Sequence, residues 1–544
     1  LEITERQSVV LSPFQSFLWS FRFRAEESRL KHRLPSRPVS EPAPARGAAS
    51  KRVWIFLAAM LMASGSRAAD TGPEPVSLRK CVARALAHNF QIRLSELDRR
   101  NAEDDFEAAR AIFDPVFALG GSRNATRSAA ATTQLDGAAV PETESAQWNF
   151  GVEQRLPLGG SVSLGNGASS FETNSQFSLL NPAYNADYNL TLRQPLLQGA
   201  GWRMARMPLL QAQIGIGSAS LENRRALFTT LQEVELRYWD VSLARLEREA
   251  TELDLQTSKN LLEEVQVRVE AGLSTRLDEL QARTGLVGRQ QRLIVAEQNE
   301  AAKMDALLEV LGETQFTGRR WKVSGQLPIF GVPWVDESQE VRRARTSNPE
   351  YLLSMQDLKS RKLTVEQARN QVLPRLDVTA RGGYSGLSDS YSSAYNRAAR
   401  GDGRDWLIGL EVRVPWGLRE ERARLRQAKT AEESAALQVA QAEQRLVLAV
   451  RAACRALGAA HEQVKVAQLG LTLSEEQFGR AKSQFEEGVV EFREVITSQQ
   501  ALAAARIVSY QARMGTVRAD LELSRLNGTL PARNGLVLQE PKQR

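Results

Sequence analysis

Cysteine is almost missing from this sequence. Two residues in 544, Cys81 and Cys454, cannot make a disulfide framework, and the scarcity fits an oxidising compartment as well as it fits chance. Histidine is nearly as rare. His32, His88 and His461 are scattered and read as surface or satisfied helical residues, with no metal-ligating spacing. Long apolar runs are missing too. The only stretch resembling a membrane helix, Val53 to Met62, falls well short of the about 20 residues needed to span a bilayer. With 42% hydrophobic and 25% charged residues and a mean hydropathy of −0.35, this is not a helical membrane protein. A nucleophile elbow, metal-ligand spacing and a phosphate loop are lacking, and isolated carboxylates on solvated helices make no site. Neither an enzyme nor a cofactor or metal is expected. Charge of one sign is not in large excess. The net +7 comes partly from an Arg-rich first 52 residues, and the body interleaves Arg with Glu, so nucleic acid is not an expected partner.

What the chain does contain is an ungapped repeat of itself. Ser77-Leu78-Arg79 and Asp336-Glu337-Ser338 lie 259 positions apart. At that offset Asn89 meets Asn348, Asp98 meets Asp357, Glu107-Ala108-Ala109-Arg110 meets Glu366-Gln367-Ala368-Arg369, and Pro115 meets Pro374. Two further matches follow in the same order. Tyr188-Asn189-Leu190-Thr191-Leu192-Arg193-Gln194-Pro195 corresponds to Ile408-Gly409-Leu410-Glu411-Val412-Arg413-Val414-Pro415, and Glu270-Ala271-Gly272-Leu273 to Glu486-Glu487-Gly488-Val489. One long unit written twice, over 74–330 and 331–531, implies a symmetric architecture. Residues 532–544 are expected to be a disordered tail.

Lys51-Arg52, the apolar run Val53–Met62 and the small residues up to Ala69 read as a secretory signal over 51–68, with Ser66 and Ala68 at the exit. Residues 1–50 precede it and are read as an upstream extension, or as a cytoplasmic arm with a signal anchor. The protein leaves the cytoplasm on either reading.

Ser77 to Ile112 is rich in Ala, Leu, Glu and Arg and predicts one helix, capped by Ser77 and ended by Pro115. Short alternating segments follow: Phe113–Ser122, Trp148–Arg155, Ser161–Asn166 and a run through Tyr188, Leu190 and Leu192. The second half carries only two, Leu376–Tyr384 and Trp406–Val414. Residues 123–146, 169–186 and 385–404 read as long polar loops, whereas 157–160 is a tight turn. That alternation is what an outer-membrane barrel shows. The bulk is helix. Residues 203–270 and 418–487 carry Leu231, Val234, Tyr238, Val241 and Leu446, Val450, Ala453, Leu457 at coiled-coil spacing. Each run breaks at a glycine, Gly272 or Gly488, and returns through about 35 residues as an antiparallel hairpin.

These features together resemble the TolC-like outer-membrane efflux and secretion channels over about residues 74–531. The resemblance is carried by Ser77-Leu78, Ala85-Leu86 and Asn89, by Tyr188 to Gly199, by Val269-Glu270-Ala271-Gly272-Leu273-Ser274, and by Asn348-Pro349-Glu350, Val412-Arg413-Val414-Pro415 and Phe485-Glu486-Glu487-Gly488. It implies an α+β fold, with long helical hairpins forming an α-barrel and amphipathic strands of a trimeric β-barrel in outer-membrane lipid. It also implies a large periplasmic part, a periplasmic adaptor (membrane fusion) protein and an inner-membrane pump as partners. The turns Ala271-Gly272-Leu273 and Glu487-Gly488-Val489 match the hairpin tips that dock the adaptor. Asp278 and Glu494, six residues beyond each glycine, match acids facing the periplasmic entrance, although acids are favoured at helix starts anyway. Val490 and Thr497 stand where known members place an Arg and a second acid, so the family's locking ion pairs do not carry over.

The expected function is a passive exit duct of a tripartite efflux pump or type I secretion system. A periplasmic coiled-coil adaptor or scaffold is the alternative, and an apolar outer band at Trp148, Phe150 and Val152 discriminates against it. The familiar pattern is four strands per protomer. The hairpin Trp148–Asn166 either raises this to six or folds outside the membrane.

Overall fold

Two asparagines at equivalent positions of the repeat break what reads as one helix into two. In the computed structural model α1 spans Leu78–His88 and α2 Phe90–Arg110, with Asn89 extended at ψ 128° between them. The Asn89 side chain accepts the Ile92 N–H at 3.2 Å and donates to the Val310 carbonyl at 2.8 Å. The amide thus starts one helix while pinning it to the far end of the first hairpin. Asn348 does the same between α5 (Glu337–Ser347) and α6 (Pro349–Gln371), accepting from Tyr351 and donating to the Leu526 carbonyl at 3.3 Å. The single helix expected from Ser77 to Ile112 is therefore corrected. Ser77 does occupy the N-cap position, but its side chain makes no capping bond.

The structure describes residues 74–127, 138, 140–313, 321–323, 325, 327–328 and 335–536. The expected signal at 51–68, the stretch 1–50 and residues 537–544 lie outside them. The first hairpin is α3 (Met207–Glu270) with α4 (Arg276–Leu311), and the second is α8 (Arg419–Glu486) with α9 (Phe492–Leu526). Helices of 64 and 68 residues run about 100 Å at 1.5 Å per residue. Pro208 sits in the first turn of α3, where its missing N–H costs nothing.

Both predicted seams are buried. Leu231, Val234, Tyr238 and Val241 pack with Leu307, Leu311, Met514, Val517 and Leu521, while Leu446, Val450, Ala453 and Leu457 pack with Leu523 and Leu526. Cys81 lies in the first of these cores, and burial pushes its thiol up to about 11. Near the same core, β1 (Glu74–Val76) runs parallel to β6 (Trp321–Val323). The first five residues of the expected tail are ordered. Asn534 donates to Glu235 at 2.6 Å and Leu536 packs on the core, so 532–536 belong to the fold.

Six strands form one antiparallel sheet: β2 (Val116–Arg127), β3 (Glu142–Arg155), β4 (Ser161–Thr173), β5 (Ala183–Pro195), β7 (Arg375–Ser388) and β8 (Gly403–Arg413), side by side in that order. The strands reach well into the stretches read as loops, because Ser, Thr, Asn and Ala there continue the alternation beyond the apolar residues. Within the third of these stretches lies a helix, α7 (Tyr391–Arg400). The hairpin Trp148–Asn166 pairs along its full length on both sides, from Val116↔Glu153 through Val162↔Leu192, so it is an integral part of the sheet.

Candidate functional site: a two-faced sheet and two hairpin tips

Cross-strand register assigns every sheet residue to a face, because successive side chains alternate. Through the pairs Phe117↔Val152, Leu119↔Phe150, Val152↔Leu164, Leu164↔Leu190, Leu192↔Ala380 and Val378↔Leu410, one face gathers apolar residues from all six strands. Leu119 is 82% exposed and Trp406 78%, so this part of the band is uncovered among the described residues. Along β8 it runs through Trp406, Ile408, Leu410 and Val412, about 20 Å along the strand. A large exposed apolar surface on a regular sheet is a surface made for lipid. It carries Trp148, Phe150 and Val152, the residues expected to discriminate a barrel from a scaffold.

The opposite face is polar, with Asn149, Ser163, Asn189, Thr191, Thr379, Arg381 and Asp405, interrupted by Leu387, Leu407 and Phe171. Four glycines there each lie across from an Asn or Asp. A Cβ on Gly120, Gly165, Gly167 or Gly383 would sit 2.4, 2.7, 2.5 or 2.6 Å from the oxygen of Asn149, Asn189, Asp187 or Asp405. The polar side chains therefore lie over bare backbone.

Near the helical end of this face stands an ion cluster that sequence reasoning missed. Arg193 and Arg375 both reach Asp377 Oδ2, at 2.6 and 2.9 Å, and Arg413 pairs with Glu411 at 2.7 Å. Its signal was the repeat itself, which equates Arg193 with Arg413. Among the described residues, β2 and β8 each pair on one side only, so the sheet ends in two open edges.

At the other end of the hairpins, the two glycine turns share one geometry. Gly272 has φ 74° and Gly488 φ 78°, a region that strains any side chain. The Leu273 N–H closes on the Arg268 carbonyl at 2.8 Å and the Val489 N–H on the Gln484 carbonyl at 2.8 Å, the Schellman closure of a helix end. Ala271, Gly272, Leu273, Glu487, Gly488 and Val489 are all exposed. The tips are held together. Arg268 donates to the Glu486 carbonyl at 3.2 Å and stacks over Phe485, whose ring packs 5.4 Å from Phe492. Leu261, Val265, Ala282 and Val495 complete this small core.

The two acids differ. Asp278 closes a capping box with Thr275, accepting from its N–H at 2.9 Å and its hydroxyl at 2.7 Å. Glu494 lies exposed in the first turn of α9. Helix capping thus accounts for Asp278 directly. Arg276 pairs with Glu279 at 2.9 Å.

Among the described residues the sheet thus has one lipid-compatible face, one polar face and two unpaired edges. The chain belongs to the outer membrane efflux protein family, whose model matches residues 158–313 and 341–529. Solved structures with the same fold include the Campylobacter jejuni CmeC outer membrane channel, 14% identical, covering 93% of this chain and 96% of that one at a TM-score of 0.64. A Pseudomonas aeruginosa membrane protein is 20% identical, with 83% and 92% covered and a TM-score of 0.64. The open-state Neisseria gonorrhoeae MtrE outer membrane channel is 15% identical, with 83% and 88% covered and a TM-score of 0.60. No match was found among curated proteins.

Proposed function

We propose that this protein is the outer-membrane channel of a tripartite efflux pump, a homotrimer giving a passive duct from periplasm to exterior. The carrying observation is the six-stranded sheet, apolar on one face, polar on the other and open at both edges. A coiled-coil scaffold or adaptor has no use for such a face. On this reading three sheets close into eighteen strands, wider than a twelve-stranded barrel because diameter grows with strand number. The hairpins extend into the periplasm, and the tips at Gly272 and Gly488 receive an adaptor protein that couples the duct to an inner-membrane pump. Glu494 and Asp278 give the entrance a negative ring that favours cations.

Purified protein reconstituted in planar bilayers is expected to conduct and to cross-link as a three-chain band. A soluble, non-conducting monomer would sink the reading. Neutralising Asp278 and Glu494 together is expected to lower cation preference, and unchanged selectivity would assign both acids to helix starts alone.

A further inference from the structure

We infer that α7 is an interfacial strap that binds the phosphorylated headgroup of an anionic lipid at the outer rim of the barrel. The inference rests on the channel reading above, which makes the apolar face the lipid face. The helix lies on that face. Gly386 shares it with Tyr384, Gly382 and Val378 by unbroken register, and a Cβ there would sit 2.2 Å from the Ala394 carbonyl oxygen and 2.4 Å from the Ala398 nitrogen. Ala168 and Ala186, paired with each other on the same face, are buried, as are Ala394 and Ala398 of the helix. Small residues on both sides make a shallow seat for the helix. Asn166, a polar residue on the apolar face, is satisfied by the Tyr395 hydroxyl at 3.2 Å.

The seat is at the end remote from the hairpins, where 389–402 links β7 to β8. Tyrosines concentrate there. The rings of Tyr184 and Tyr391 are 4.5 Å apart and those of Tyr188 and Tyr395 5.9 Å, with Tyr384 beside Tyr188 in register. Five of the chain's eight tyrosines thus gather toward this end of the sheet, and tyrosine belts sit at the headgroup level of a bilayer. With its Ala face on the sheet, α7 leaves Ser392, Asn396, Arg397 and Arg400 exposed, with Arg397 also donating to the Leu387 carbonyl at 2.9 Å, and Arg404 follows on the same face of β8, donating to the Gly401 carbonyl at 3.2 Å. Asp389 precedes the helix and Asp402 follows it, so the last turn brings Arg397, Arg400 and Arg404 together with one acid. A surface that faces sideways into the membrane at headgroup level meets lipid, and grouped guanidinium groups select phosphate among headgroup chemistries.

The test is native mass spectrometry of the detergent-purified full-length protein titrated with diphosphoryl lipid A, with the dephosphorylated lipid as control. Binding is expected to require phosphate. It should weaken about fivefold in Arg400→Gln and roughly thirtyfold in Arg397→Gln/Arg400→Gln, and persist in Arg400→Lys. Gly386→Val, which evicts α7 while leaving strand pairing intact, should match the double variant. Equal binding of the dephosphorylated lipid, unchanged affinity in the double variant, or displacement by inorganic phosphate alone would overturn the inference. If the variants conduct in bilayers yet show no lipid preference, only this inference falls. If the wild-type protein does not insert at all, the channel reading falls with it.

Discussion

Gly272 and Gly488 turn the chain in open space, since a Cβ at either would meet nothing within 4 Å. Replacing either by valine therefore costs only the penalty of positive φ, roughly 1 kcal/mol, small against a large assembly. Gly272→Val and Gly488→Val are expected to cut efflux in cells while shifting the thermal midpoint little. Normal efflux in both variants would remove the tips from adaptor docking. Glu235 presents a different single-residue case. One carboxylate oxygen accepts from Asn534 at 2.6 Å, while the other is buried with no hydrogen-bond donor among the described residues. Burial raises its pKa above the usual 4.5, with the Asn534 bond and the Arg533 charge pulling it back. A carboxyl with a raised folded pKa contributes stability below its unfolded pKa, and that contribution is lost as pH rises through the folded value. Glu235→Gln should therefore stabilise the protein at neutral pH, by an amount on the order of 1 kcal/mol. Acidification through the ordinary carboxylate range should close the gap in melting temperature. An unchanged gap would mean that charge at Glu235 is not what the substitution relieves.

The helical elements were legible where packing follows period. The seam residues from Leu231 to Val241 and from Leu446 to Leu457 sit where coiled-coil spacing put them, because each long helix contacts its neighbours through one repeating stripe. The breaks at Asn89 and Asn348 were not legible. They are enforced by carbonyls more than 170 residues away, at Val310 and Leu526, and only Pro349 gave a local hint. Strand lengths were underestimated for a related reason. A polar residue on a wall bathed by water on one side looks, in sequence, like a loop residue. The ion cluster around Asp377 was hidden because its members come from three strands in both halves of the chain. One buried polar site joins three of the long helices: Asp254 of α3 lies 3.2 Å from Arg289 of α4 and accepts from Gln499 of α9 at 2.9 Å. Asp254→Ala should strand Arg289 and cost about 3 kcal/mol, whereas Asp254→Leu/Arg289→Leu should recover most of it. Chemical unfolding of the purified protein compares the two, and a double variant no better than the single would show that the charges themselves are not the source of the loss.

At the scale of the whole molecule, the repeat is unequal in its sheet. The first half contributes four strands and the second two, with α7 occupying the rim where the second half has no further hairpin. A photoreactive group at Phe150, on the extra hairpin, is expected to label acyl chains in native membranes. Labelling only by water-soluble reagents would leave that hairpin outside the bilayer and the barrel at twelve strands. The open edges at β2 and β8 have a further consequence, for the timing of assembly. A lone chain cannot settle in a bilayer, since its two edges would leave rows of backbone amides and carbonyls dry and unmatched. Meeting of the copies must therefore precede or accompany insertion. On the trimeric reading, the yield of finished ducts at low expression falls with the cube of chain concentration. A modest drop in synthesis would then silence export far more than in proportion, and surplus chains would wait outside the bilayer as aggregation-prone single sheets.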